Sequence, residues 1–95
     1  MRGVAILGST GSIGLSTLEV LGRHRDQFRV VALTAGSNWQ LLESQVAAWK
    51  PQYAGLVRCD QPANGFGAGP ECLIAAATHP DVDIVVNAIV GFAGL

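Results

Sequence analysis

Seven residues near the start of the chain, Gly8-Ser9-Thr10-Gly11-Ser12-Ile13-Gly14, have the types and spacing to bind an anion through backbone alone. A pyrophosphate leaves little room for side chains, so it is held by N–H groups at the first turn of a helix, where the helix dipole also favours negative charge. In a G-x-x-G-x-x-G turn, Gly8 permits the tight bend and Gly11 the close approach of the ligand, while Gly14 lets the helix pack on the preceding strand. Thr10 and Ser12 add hydroxyls that can reach phosphate oxygens or cap the helix. A purely structural turn would share this composition. What favours a dinucleotide site is its setting, between the apolar run Val4-Ala5-Ile6-Leu7 and a helical pattern opening at Ser12.

A second candidate lies at Thr34-Ala35-Gly36-Ser37-Asn38. Sites for NAD place an Asp or Glu at the end of the second strand to accept from the adenosine ribose 2′-hydroxyl. This segment has no acid. Gly36 N–H, Ser37 and Asn38 can instead donate to a 2′-phosphate, so NADP is favoured over NAD; the alternative is that Ser37 and Asn38 only cap the next helix.

Other chemistry-bearing residues are scattered. Cys59 and Cys72 lack C-x-x-C spacing, and neither His24 nor His79 has a second ligand nearby, so buried thiols and no metal site are expected. Asp81 and Asp83 share a face ahead of a strand, but read as the solvent-exposed end of a loop rather than as a metal or acid–base pair. Asn87, followed by Ala88-Ile89-Val90-Gly91, falls at the carboxyl end of a strand, where ligands of open α/β sheets bind. No catalytic residue is identified.

These motifs need a frame. The short apolar run at 4–7 reads as a strand covered on both faces, and 29–34, 53–57 and 84–86 read as further strands, the one at 53–57 the weakest. Between them, Leu15, Leu18 and Leu21 mark a helix that Arg23-His24-Arg25 closes, and Leu42, Val46 and Trp49 mark a second that stops at Lys50-Pro51. A glycine-rich loop from Arg58 to Gly69 leads to a short helix at 71–77. The alternation predicts an α/β fold, a Rossmann-type parallel sheet flanked by helices, and an incomplete one.

Composition agrees. The chain's 95 residues allow one core, and only 14% are charged against about 25% in an average soluble domain, so the chain either buries strands on both faces or lacks a partner surface that covers it. A net charge of −1 without basic runs argues against nucleic acid and anionic membranes. The longest apolar stretch, 84–95, is broken by Asn87, Gly91 and Gly94 and is too short to span a bilayer. With no leader-like segment at the N-terminus, a cytoplasmic location is expected. The uncapped apolar end at 91–95 is expected to continue into a further helix, so residues 1–95 read as one domain or a piece of one.

Three words, G-S-T-G-S-I-G at 8–14, L-T-A-G-S-N at 33–38 and V-N-A-I-V-G-F-A-G-L at 86–95, together resemble the amino-terminal part of 1-deoxy-D-xylulose 5-phosphate reductoisomerases. The resemblance implies an NADPH-dependent oxidoreductase that rearranges and then reduces 1-deoxy-D-xylulose 5-phosphate to 2-C-methyl-D-erythritol 4-phosphate, in non-mevalonate isoprenoid biosynthesis. It implies cofactor contacts at Thr10, Gly11, Ser12 and Ile13 and at Gly36, Ser37 and Asn38, with Ala88 to Gly91 near the nicotinamide. It further implies a homodimer and a divalent metal, Mg or Mn. The ligands for that metal and the residues for the sugar phosphate are expected beyond residue 95, so these residues alone should be inactive. Two departures stand out: some members carry a basic residue where this chain has Ser37, and the segment between Val57 and Leu73 is shorter than usual. A semialdehyde dehydrogenase of the aspartate pathway and a non-catalytic nucleotide-binding module are the competing readings.

Overall fold

A computed structural model describes residues 1–58 and 66–89. Five strands form one sheet in the order β4-β3-β2-β1-β5, and every neighbouring pair is parallel. The strands are β1 (Arg2–Leu7), β2 (Phe28–Ala35), β3 (Tyr53–Leu56), β4 (Gly67–Ala68) and β5 (Ile84–Asn87). The helices are α1 (Ser12–Gly22), α2 (Trp39–Trp49) and α3 (Glu71–Ala77). The expected parallel α/β sheet flanked by helices is thus what forms.

The two faces of the sheet differ in side-chain size. Val4 and Ile6 of β1 and Val30, Leu33 and Ala35 of β2 pack with Leu18 and Leu21 of α1 and Leu42, Val46 and Trp49 of α2. The other face meets α3 through small residues, with Ala5, Ala32 and Ala76 fully buried together. Gly55 extends this close approach, since a Cβ there would lie 2.6 Å from Cys72 Cβ.

Strand alternation alone does not explain β2. Val4 pairs with Val30 and Ala5 with Ala32, leaving Val31 as a bulge. The extra residue resets the side-chain phase, so that Val30 and Leu33, three apart, reach the same core.

Several expectations at element ends are corrected. The basic trio closes α1 as expected, the helix ending at Gly22 with Arg23 in its cap, but no basic residue lies within the last turn itself. Arg23 instead pairs with Glu19 at 3.0 Å in solvent, a contact of small energetic weight. Arg25 lies 3.9 Å over the ring of Trp49, which is half-buried against the core rather than enclosed by it. The loop expected from Arg58 to Gly69 contains β4, two residues paired to β3. Residues 57–66 link these strands, fewer than the dozen or more usual for a parallel crossover; Cys59 and the rest of 59–65 lie outside the described residues. Asp81 and Asp83 are exposed as expected, yet Asp83 Oδ2 accepts from Gly3 N–H at 2.9 Å and fastens β5 to the start of β1. Among the described residues, no helix is long and apolar enough to cross a membrane.

Candidate functional site

The chain crosses from β1 outward through β2 and β3 to β4, then returns to place β5 on the opposite side of β1. Such a reversal opens a crevice at the carboxyl ends of the strands. A cleft of about 290 Å³ lies there, bounded by Gly8, Thr10 and Gly11 after β1, Ala35 and Gly36 at the end of β2, Val57 and Arg58 after β3, and Ala88 and Ile89 after β5.

The glycine turn is built to be rigid. Gly8 has a φ of +86°, a conformation that disfavours any side chain, and a Cβ there would press on the Ala88 carbonyl at 3.2 Å. The N–H groups of Gly8 and Ser9 both donate to Thr34 O, at 2.9 and 2.8 Å, tying the turn to the end of β2. From the other side comes α2: Ser9 Oγ donates to Gln45 Oε1 at 2.7 Å, and Gln45 Nε2 donates to Ser9 O at 2.9 Å. Both residues are buried.

Gly11, not a serine or threonine, occupies the N-cap of α1, and no side chain caps it. The hydroxyls of Thr10 and Ser12 therefore have no capping role. The N–H groups of Ser12, Ile13 and Gly14, at the first turn, have no acceptor within the helix, which leaves this end open to an acceptor from outside it. Of the seven expected cofactor contacts, Thr10, Gly11 and Gly36 line the cleft. Ser12 and Ile13 are exposed and border a shallow apolar depression along α1. Ser37 and Asn38 are exposed beyond Gly36, and Asn38 Oδ1 accepts from Leu41 N–H at 3.1 Å, the capping role expected for it. Asn87 is also exposed and turns back on its own backbone, accepting from Ile89 N–H at 3.1 Å. Val90 and Gly91, the rest of the expected nicotinamide side, lie outside the described residues.

Among the described residues, none that lines the cleft is acidic. Burial raises the Cys72 thiol above its ordinary pKa, with the Glu71 carboxylate adding to the effect, and burial likewise raises Tyr53. The thiol stays protonated at neutral pH, as expected for a buried cysteine rather than a nucleophile. Among the described residues, no group of three His, Cys, Asp or Glu side chains could hold a metal ion.

Two residues of this site escaped the sequence reading. Gln45 sits on the stripe of Leu42, Val46 and Trp49, and a lone amide on a buried helical face was the signal for it. Arg58 follows a strand that aligns with β2, which was the only hint of its position. Gln45→Leu keeps the volume but leaves Ser9 Oγ and O buried without their partner. Each such loss costs about 1–3 kcal/mol, and each kcal/mol lowers the melting midpoint by roughly 4–8 °C in a domain this small. A thermal melt of Gln45→Leu that matches the unaltered chain would show that α2 does not brace the turn.

Residues 4–95 match the family model for 1-deoxy-D-xylulose 5-phosphate reductoisomerase. The reductoisomerase of Methylococcus capsulatus is 49% identical over 108 aligned residues, and that of Geotalea uraniireducens 49% over 105. Each alignment takes in the whole of this chain but 27% of the relative, so the chain spans about a quarter of these proteins' length. Among solved structures, a reductoisomerase in complex with NADPH, fosmidomycin and magnesium superposes with a TM-score of 0.85 at 34% identity, covering all of this chain and 26% of the other. The Zymomonas mobilis enzyme in complex with NADPH gives 0.81 at 32% identity, covering 95% of this chain and 26% of the other. With the strand order, the glycine turn and the cleft in their places, the chain belongs to the 1-deoxy-D-xylulose 5-phosphate reductoisomerase family.

Proposed function

We propose that residues 1–95 form the NADPH-binding domain of a multidomain reductoisomerase that converts 1-deoxy-D-xylulose 5-phosphate to 2-C-methyl-D-erythritol 4-phosphate. The observation that carries the reading is the braced glycine turn, which presents the open end of α1 to a cleft at the carboxyl ends of four parallel strands. What supports a nucleotide there is that, among the described residues, a Cβ on Gly11 would meet only Gly8 O, at 3.7 Å, and one on Gly36 would meet nothing within 4 Å. Both positions leave room for a ligand against the backbone.

In this reading, Thr10, Gly11, Ser12 and Ile13 hold the pyrophosphate, with the N–H groups of the first helical turn as donors. Gly36, Ser37 and Asn38 face the adenosine ribose, and Ala88 with Ile89 closes the cleft behind Gly8. What the cofactor supplies when bound is a hydride for reducing the rearranged sugar phosphate. The chain's own part is to bind it, orient it and exclude water from the far wall through Val57 and Leu73. A divalent metal does not fit the described residues, among which no three His, Cys, Asp or Glu side chains gather. Metal binding, a homodimer and a cytoplasmic location belong to the same proposal and rest on family membership alone. Membership of this family also replaces the semialdehyde dehydrogenase alternative.

Calorimetric titration of the purified chain with NADPH and, separately, with NADH tests the domain's role. NADPH is expected to bind roughly 10–100-fold more tightly, the worth of a charged hydrogen-bonded contact to the extra phosphate. Equal binding of the two nucleotides would remove the 2′-phosphate preference. A folded sample that binds neither would overturn the proposal.

A further inference from the structure

The 2′-phosphate of NADPH carries close to two negative charges, and the end of β2 offers it only neutral donors. Asn38 has already committed its carboxamide oxygen to Leu41 N–H. A cation is available from the adjacent strand. The pairing of β2 with β3 continues beyond both strands, Val57 N–H donating to Ala35 O and Arg58 N–H to Gly36 O, each at 2.8 Å. This ladder fixes Arg58 directly beside Gly36, on the same cleft.

Three features make Arg58 available to a ligand. Among the described residues it is the only cationic one lining the cleft. Its side chain is exposed and forms no ion pair with a described residue. The space in front of Gly36 is open, with no atom of a described residue within 4 Å of where a Cβ would stand. A guanidinium pairs with phosphate through two parallel hydrogen bonds, and it stays charged at any physiological pH.

We propose that Arg58 is a specificity-determining residue of the cofactor site, pairing with the 2′-phosphate from β3 and supplying the positive charge that Ser37 lacks. This rests on the NADPH reading above. Electrostatic support thus comes across the strand pair rather than along the β2 loop.

Calorimetry on the unaltered chain, Arg58→Ala and Arg58→Lys, each titrated with NADPH and with NADH, tests it. The backbone bond to Gly36 survives both substitutions, and circular dichroism checks that each variant folds. The expected result is that Arg58→Ala weakens NADPH by ~10–100-fold and leaves NADH within about twofold, while Arg58→Lys recovers part of the loss. Loss of both nucleotides in equal measure would assign Arg58 to stacking on the adenine and overturn the proposal, as would unchanged NADPH binding in Arg58→Ala. An unaltered chain that binds NADPH and NADH equally also overturns it, while the cofactor cleft stands. If that chain, folded, binds neither, the NADPH reading falls first and the role of Arg58 with it.

Discussion

Gly14→Ala is expected to destabilise the chain although alanine is the best helix former. A Cβ at this position would lie 2.3 Å from Gly8 O, 2.7 Å from Ser9 Cα and 2.8 Å from Ser9 C. All three are backbone atoms of the turn, and the turn cannot retreat, because Thr34 O and Gln45 hold it from two sides. Intrinsic propensity would favour alanine by about 1 kcal/mol. Overpacking against fixed backbone costs about 1–3 kcal/mol or more, so it wins. Gly22→Ala supplies the contrast on the same helix: its Cβ would come no nearer than 3.9 Å, to Trp49 Cζ2, and the substitution should be neutral or mildly stabilising. Denaturant or thermal unfolding of the pair reads out the opposite signs. A Gly14→Ala chain as stable as the unaltered one would mean that α1 does not sit as close to the turn as described.

Gly11→Asp should do the reverse, sparing the fold and abolishing the ligand. Gly11 is the N-cap of α1 with φ −79° and ψ 174°, extended backbone that any residue adopts. Its Cβ would make one ordinary contact, with Gly8 O at 3.7 Å. Aspartate is a favoured N-cap, and its charge suits the positive end of the helix, so the melting midpoint should hold or rise slightly. That same carboxylate would stand where the pyrophosphate must sit, adding repulsion to steric exclusion. NADPH affinity is expected to fall by about 100-fold or more, equivalent to roughly 2.7 kcal/mol. Calorimetry and a melt on one sample make the check, and retained NADPH binding would place the pyrophosphate elsewhere. Together the two glycines separate what the motif does for packing from what it does for recognition.

Much of the frame could be read from local pattern. The apolar run ahead of Gly8, the leucines of α1 and the proline after α2 each act over a few residues, and the elements formed close to where those signals fall. The failures share a cause, which is that they depend on partners distant in sequence. Gly67–Ala68 is a strand only because β3 offers an edge to pair with, and its two residues carry no periodicity of their own. The bulge at Val31 shows only in the register against β1. Within the site, the glycine turn was legible because glycine spacing encodes backbone geometry directly. Gln45 and Arg58 were not, since one lies 36 positions from Ser9 and the other reaches Gly36 through strand pairing. Thr10 and Ser12 were credited with a capping option that the extended backbone at Gly11 takes instead.

The unequal faces of the sheet constrain how such a sequence can drift. On the side of α1 and α2, leucine and valine fill the space, so a smaller side chain leaves a void while a change of branching at constant volume is absorbed. On the side of α3, alanine meets alanine, and Gly55 meets Cys72 with no gap to lose. A single added methyl there has nowhere to go except by lifting α3 from the sheet, and Leu73 of that helix forms part of the cleft wall. One side of this layer therefore tolerates exchange among large residues, whereas the other admits almost no growth, and a change too small to unfold the protein can still reshape the cleft from behind.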